Sequence, residues 1–327
     1  MGRSPEFPYN KTVPGSGHAA PAYIREDDIM DTYISCSMEE QGFAGAYFEG
    51  RDFPRTCVIY AAGAGSRKKD CLQAASFIPE AGFNTLVLGW MGWEGTPSRM
   101  EMIPVDYVTK AAAWLREEKG ITRIIMAGVS EGAVYTLLAA VYNPEIGAVC
   151  AVTPMDFVMA APFSSRKLRA VFTWQGKRVT FVPHSTSYFN PLELLKYGLE
   201  DDAYGAGRLM RFANDQVRTR LVARIQVEKM KGDLLMIVPS YDDVWASEEA
   251  AERIEKRLRR MKYPYKVETV VCQDASHIMG GSYDMTAGNM QLFKKMLKAE
   301  KDNPAACDQG RTDCLVRMVE FFREEAL

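Results

Sequence analysis

Three short stretches of this chain carry the side chains from which a nucleophilic hydroxyl is assembled: "GVSEG" around Ser130, "SYDD" ending in Asp242 and Asp243, and "QDASH" ending in His277. A serine hydroxyl is a weak nucleophile until a histidine takes its proton. That histidine in turn needs a carboxylate to orient it and to stabilise the imidazolium. Glycines two residues to either side of Ser130 match a tight strand-to-helix turn, where neighbouring backbone leaves no room for a Cβ and the hydroxyl is forced outward. The chain has 3 histidines. His18 lies in an unpatterned leader and His184 in a long irregular segment, where it is a candidate substrate contact; His277 directly follows an apolar strand and is the expected base. In the chain order Ser, Asp, His, the acid should follow the preceding strand. The form Ser240-x-x-Asp243 points to Asp243, with Asp242 as the alternative and Asp274 too close in sequence to His277.

Attack on a carbonyl also needs two backbone N–H groups aimed at the developing negative charge. Glu131, directly after the nucleophile, supplies one, and Ala64 in the loop "AAGAGS" is expected to supply the other. Gly63 and Gly65 are rivals for that position and contributors to the substrate wall. Met91, Trp93 and Met100 are candidates to line an acyl pocket. The Glu131 carboxylate is an oddity, because a negative charge beside an oxyanion hole is unhelpful unless it points away or binds a cationic substrate group.

The elements that must hold these groups follow from the apolar pattern. "DTYISCSM" and "GFAGAYFEG" are β-prone runs separated by the polar "EEQ", the pattern of an antiparallel hairpin. From "TCVIYAAGAG" onward, continuous apolar strands ("NTLVLGWMG", "RIIMAGVS", "GAVCAVTPM", "DLLMIVPS", "KVETVVCQ") alternate with amphipathic helices. One such helix, over 105–120, puts Val105, Val108, Ala112 and Leu115 on one face and stops at Gly120. This alternation predicts an α/β fold with a doubly wound, mostly parallel sheet covered on both faces. Residues 156–232 break the rhythm and read as a cap insertion on the C-terminal side of the sheet, dividing the core into 31–155 and 233–327 behind a disordered leader over 1–30. The cap is basic (Arg166, Lys167, Arg169, Lys177, Arg178) and aromatic (Phe172, Trp174, Phe181, Tyr188, Phe189).

Composition narrows the function classes. A formal net charge of −2 gives no general attraction to nucleic acid or anionic membrane, so the expected partner is a small molecule. The 7 cysteines are odd in number and lack CxxC spacing, which argues against a disulfide framework and a zinc site and for a reducing, cytoplasmic setting. No apolar run reaches the roughly 18 residues of a membrane span, and the N-terminal stretch lacks the charged-then-apolar layout expected of a signal peptide.

Several of these stretches together resemble one family. "IPVDYVTKAAAWL", "AGVSEGA", "DDVWAS" followed by "AAERIEKRL", "ASHI" and the terminal "VRMVEFFREEAL" are similar, in order, to the C-terminal α/β-hydrolase domain of the bile acid-CoA:amino acid N-acyltransferase and acyl-CoA thioesterase family, over roughly residues 30 to 327. The resemblance implies an α/β-hydrolase fold, with Ser130 as nucleophile, Asp243 as acid and His277 as base. Serine at the nucleophile position resembles the thioesterases, cysteine the amino acid conjugating enzymes, so Ser130 implies hydrolysis of an acyl thioester. The basic cap residues would then face the phosphates of CoA. The same triad would serve a carboxylesterase, a small-substrate peptidase or amidase, or acyl transfer to an amine. A noncatalytic binding protein on the same scaffold would show a broken triad, and here the triad is complete in sequence. None of these reactions calls for a metal or an organic cofactor.

Overall fold

The structure, a computed structural model, describes residues 33–161, 169–182 and 217–326. The expected leader over 1–30, the candidate His184 and the cap stretches 162–168 and 183–216, with Arg166, Lys167, Tyr188 and Phe189, lie outside the described residues.

A sheet of eight strands forms the centre, in the order β1-β2-β4-β3-β6-β7-β10-β11. The hairpin partners β1 (Ile34–Cys36) and β2 (Gly45–Phe48) are antiparallel to each other, and β2 is antiparallel to β4 (Phe83–Leu88). From there β3 (Phe53–Ala61), β6 (Arg123–Val129), β7 (Ile146–Val152), β10 (Asp233–Pro239) and β11 (Val267–Cys272) run parallel. A three-stranded side sheet joins β5 (Ile103–Pro104), β8 (Phe172–Trp174) and β9 (Lys177–Arg178).

Alternate residues of the parallel strands enter two separate apolar cores, as the period of two along a strand requires. Ile59, Leu86, Met126 and Leu234 face one side, where they meet α3 (Asp106–Lys119), α4 (Glu131–Tyr142) and α6 (Ser247–Arg260). Val58, Val87, Ile125 and Leu235 face the other, covered by α1 (Lys68–Ala75), α2 (Phe77–Glu80) and α9 (Pro304–Ala326). The face expected for α3 is the buried one, and the helix ends as expected, with Gly120 in the left-handed region at φ +64° closing it.

The described residues of the cap insertion do not stand apart from this core. Phe157, Val158, Phe172, Val182, Ala223 and Ile225 are buried within the first core, and the short helix α5 (Val217–Val222) leads into them. Phe172 leans on Tyr135 of α4 and on Trp90. Asp156 is clamped by the Arg253 guanidinium through bonds of 2.7 to 3.0 Å. All 7 cysteines are buried and unpaired. No helix among the described residues is long and apolar enough to cross a membrane.

Candidate active site

Ser130 sits between β6 and α4 with φ +57° and ψ −124°, a backbone conformation that costs free energy for any residue with a Cβ and persists only where the surroundings over-determine it. The glycines on either side are what permit it. A Cβ on Gly128 would lie 2.3 Å from the Gly132 carbonyl oxygen and 2.4 Å from Thr136 Oγ1, and one on Gly132 would lie 2.3 Å from the Ala61 oxygen. The turn is therefore pressed against the end of β3, and only glycine fits at both places. The Ser130 N–H donates to the Val152 carbonyl at 2.9 Å and to Thr153 Oγ1 at 3.1 Å, which ties the turn to the end of β7.

The loop after β11 carries His277 back across the ends of the strands. Its Nε2 lies 2.9 Å from Ser130 Oγ, and its Nδ1 lies 2.9 and 3.0 Å from the two oxygens of Asp242. Sequence spacing indicated Asp243 for this place, and the geometry corrects that expectation. Adjacent residues leaving a strand point in opposite directions. Asp242 faces the histidine, whereas Asp243 turns the other way and accepts the Ala299 N–H at 3.1 Å. The Asp242 carboxylate also accepts the N–H groups of Val244 and Trp245, each at 3.0 Å, and the Ser247 hydroxyl. Its ring-facing oxygens are thus held by the loop that it begins.

Trp245 closes a second link that sequence reading missed. Its ring meets His277 edge-on with centroids 5.3 Å apart, and its Nε1–H donates to the Thr153 carbonyl at 3.0 Å. Thr153, itself at φ +49°, therefore touches both the Ser130 turn and the residue packed on His277. Nothing in a lone threonine at a strand end announces that position.

A cavity of about 470 Å³ opens beside Ser130 and His277. One wall is the loop Gly63, Ala64 and Gly65, where the second oxyanion donor was sought; Gly63 has room for a Cβ only at contact distance, 3.6 Å from the Ser130 Cβ. The far wall holds Tyr283 together with Met290 and Phe293 of α7 (Gly288–Met296), which sequence reading did not single out. Met91 and Trp93 are not among the residues lining this cavity. Trp93 is buried in the second core, and Met91 and Met100 pack against the first. Of the expected basic cap residues that are described, Arg169 pairs with Glu101, and Lys177 and Arg178 are exposed on β9.

Two carboxyl groups near Ser130 are buried without full pairing. Glu131, the first residue of α4, has an Oε1 with no partner, and burial pushes its carboxyl up to about 7. Asp243 has one oxygen unpartnered, and burial likewise pushes it up to about 6, opposed by the Ala299 N–H. Among the described residues no three histidine, cysteine, aspartate or glutamate side chains converge to hold a metal ion.

With this geometry in view, likeness to known proteins is informative. The family described as BAAT / Acyl-CoA thioester hydrolase C terminal matches residues 103–290, which contain Ser130, Asp242 and His277. The chain belongs to this family. Acyl-coenzyme A thioesterase 1 of Mus musculus is 25% identical over 281 residues, covering 84% of this chain and 60% of the relative. This chain thus spans about three fifths of the length of that curated relative. Among solved structures, an esterase of Pyrococcus furiosus superposes with a TM-score of 0.53 at 15% identity, covering 98% of this chain and 100% of that one. A fungal esterase from Rhizomucor miehei gives 0.51 at 14% identity, covering 90% and 83%. At such identities the likeness is one of fold, and the fold is that of the α/β-hydrolases.

Proposed function

We propose that this chain is a serine hydrolase that cleaves an acyl thioester of the acyl-CoA type through an acyl-enzyme on Ser130. The observation that carries the reading is the unbroken line of hydrogen bonds from Asp242 through His277 to Ser130 Oγ, ending at an open cavity. Family membership supports the thioester as the substrate class.

In the first half-reaction Ser130 Oγ attacks the carbonyl carbon while His277 Nε2 takes the hydroxyl proton, and Asp242 stabilises the resulting imidazolium through Nδ1–H. The tetrahedral oxyanion lies between the N–H of Glu131, at the positive end of α4, and that of Ala64 in the glycine loop. Collapse breaks the C–S bond, and the leaving sulfur takes the proton back from His277. In the second half-reaction His277 takes a proton from water, the hydroxide oxygen attacks the acyl carbon, and Ser130 leaves with the proton returned to it. The free acid and the thiol are the products, and no cofactor enters the balance.

The test is release of free thiol from acyl-CoA substrates of increasing chain length beside matched nitrophenyl esters, with Ser130→Ala as the blank. Serine-dependent thiol release with a chain-length optimum is the expected result. Ester cleavage without thiol release would replace the thioesterase by a carboxylesterase, and activity that survives in Ser130→Ala would overturn the mechanism.

A further inference from the structure

The helix α7 carries an apolar face that the folded chain leaves uncovered. None of its nine residues is buried, and Leu292, Phe293 and Met296 are 63%, 37% and 60% exposed. Among the described residues the other exposed large apolar side chains are Ile34, Met261 and the adjacent Leu221 and Val222 of α5, so the three on α7 form the largest such group. At about 100° per residue, Leu292, Met296 and Phe293 span an arc of roughly 100°, and Met290 extends it by about 60°. Phe293 and Met290 line the cavity at Ser130, so the apolar arc, interrupted only by Asn289, reaches the cavity.

Charge selects the occupant. Lys295 lies about 60° beyond Leu292 on one side of this arc and Lys294 about 40° beyond Met290 on the other. Lys298 and Lys301 follow on α8 (Lys298–Asp302). Residues 288–302 thus carry four lysines against two carboxylates, Glu300 and Asp302, in a chain whose formal net charge is −2. Buried Glu300 takes the Arg311 guanidinium and lies 3.5 Å from Lys294, and Asp302 lies 3.4 Å from Lys298, so the net positive charge of the segment rests on the exposed Lys295 and Lys301. A short helix with an apolar arc edged by the exposed Lys295 is suited to lie in the plane of an anionic lipid surface, with the apolar side chains among the acyl chains and the Lys295 and Lys301 ammonium groups among the headgroups.

We propose that α7 docks this protein on anionic lipid bilayers and so holds the mouth of the Ser130 cavity against the surface. This is peripheral contact by one helix. Docking stands apart from the chemistry proposed above; its use, delivery of an acyl chain from the surface to Ser130 past Phe293 and Met290, rests on that reading.

The experiment sediments the full chain carrying Ser130→Ala, so that no substrate is consumed, with vesicles of phosphatidylcholine alone and with vesicles containing about a third phosphatidylserine. Strong binding to the anionic vesicles only, weakened by added salt, is expected. Replacing both exposed anchors (Leu292→Ser with Met296→Ser) should lower the partition by at least about thirtyfold, and Lys295→Gln by about fivefold. In an otherwise wild-type chain the same three substitutions should leave turnover of a water-soluble short-chain ester unchanged, which establishes that the variants are folded. Absence of anionic-vesicle binding, or binding that the anchor variant retains, overturns the proposal. So does a doubling of mass without lipid that the anchor variant abolishes, because α7 would then face a second copy. Loss of all hydrolytic activity in the wild type would sink the proposed chemistry while leaving the sedimentation result to stand by itself.

Discussion

Asp242 and Asp243 are neighbours in sequence, yet the structure assigns them opposite tasks, and replacing each with asparagine separates those tasks. Asp242 Oδ1 accepts the N–H groups of Val244 and Trp245, so an asparagine at 242 keeps its one oxygen there and turns its amide toward Ser247 and His277. An NH₂ facing Nδ1 makes that nitrogen the acceptor and moves the ring proton to Nε2, the atom that lies 2.9 Å from Ser130 Oγ and must receive its proton. Because both side chains are buried, with His277 5% and Asp242 3% exposed, water cannot readily substitute for the lost carboxylate. The same exchange of tautomer in a serine protease triad lowers kcat by about 10⁴, or roughly 5.4 kcal/mol of transition-state stabilisation, and a loss of that order is expected for Asp242→Asn. Asp243→Asn retains an oxygen for the Ala299 N–H and touches neither His277 nor Ser130, so its kcat should stay within about threefold of wild type. The assay is steady-state hydrolysis of one nitrophenyl ester at saturating substrate by both variants, with thermal unfolding to confirm that each is folded. A loss under about tenfold in Asp242→Asn, or equal losses in the two variants, would refute the reasoning.

The remaining predictions concern the packing of the turn and the buried carboxyls. Gly132→Ala places a Cβ 2.3 Å from the Ala61 oxygen and 2.5 Å from the Ala62 oxygen, both backbone atoms, so the chain should lose about 1–3 kcal/mol and activity should fall about 100-fold as Ser130 shifts. Urea unfolding and ester turnover measure both effects. For Asp243, a carboxyl raised from 3.8 to about 6 in the fold favours the folded chain while protonated. That stability is complete below 3.8 and disappears as pH rises through 6, a change of about 3 kcal/mol that Asp243→Asn should flatten in unfolding measured from pH 4 to 8. Glu131 behaves alike between 4.5 and about 7, so Glu131→Gln should gain stability relative to wild type as pH rises toward 8. An unchanged pH slope in either variant would count against its burial. Alkylation of the folded protein should be slow at all 7 buried cysteines, with thiols such as Cys71 and Cys150 pushed up to about 12 by burial, and complete after denaturation.

Much of the sheet was legible because its strands are apolar on both faces, and only a doubly covered sheet tolerates that. Strand ends were less so: the run that begins at Thr56 in sequence starts at Phe53 in the structure, because Phe53 stacks on Phe83 of the adjoining strand at 4.2 Å, a contact no local pattern contains. The turn at Ser130 was legible for a similar reason. A Gly-x-Ser-x-Gly turn has one geometric purpose, and the clashes that any Cβ would make at 128 and 132 show why both glycines are needed. The cavity wall on α7 was not legible, since Met290 and Phe293 belong to a helix with no buried residue, and the search for apolar periodicity looks for a buried face.

The choice between the two aspartates shows where spacing rules end. Counting from the end of a strand assumes that the loop leaves in a standard direction. Here the direction is set by Asp242 itself, whose carboxylate gathers the N–H groups of Val244 and Trp245 and the Ser247 hydroxyl at the start of α6. Such a residue reads in sequence as a turn former, an aspartate bonding its own backbone two and three positions ahead. It looks structural for the reason that suits it to orient a histidine: the carboxylate is locked before His277 arrives. Asp243, the residue that looked free to act, is the one that holds the Ala299 amide and thereby fixes α8, and α7 ahead of it, beside the cavity. A carboxylate that must hold a ring at 2.9 Å needs its own geometry fixed by several donors, so an aspartate followed by a turn that it can cap is a better candidate for the acid than the more exposed-looking neighbour.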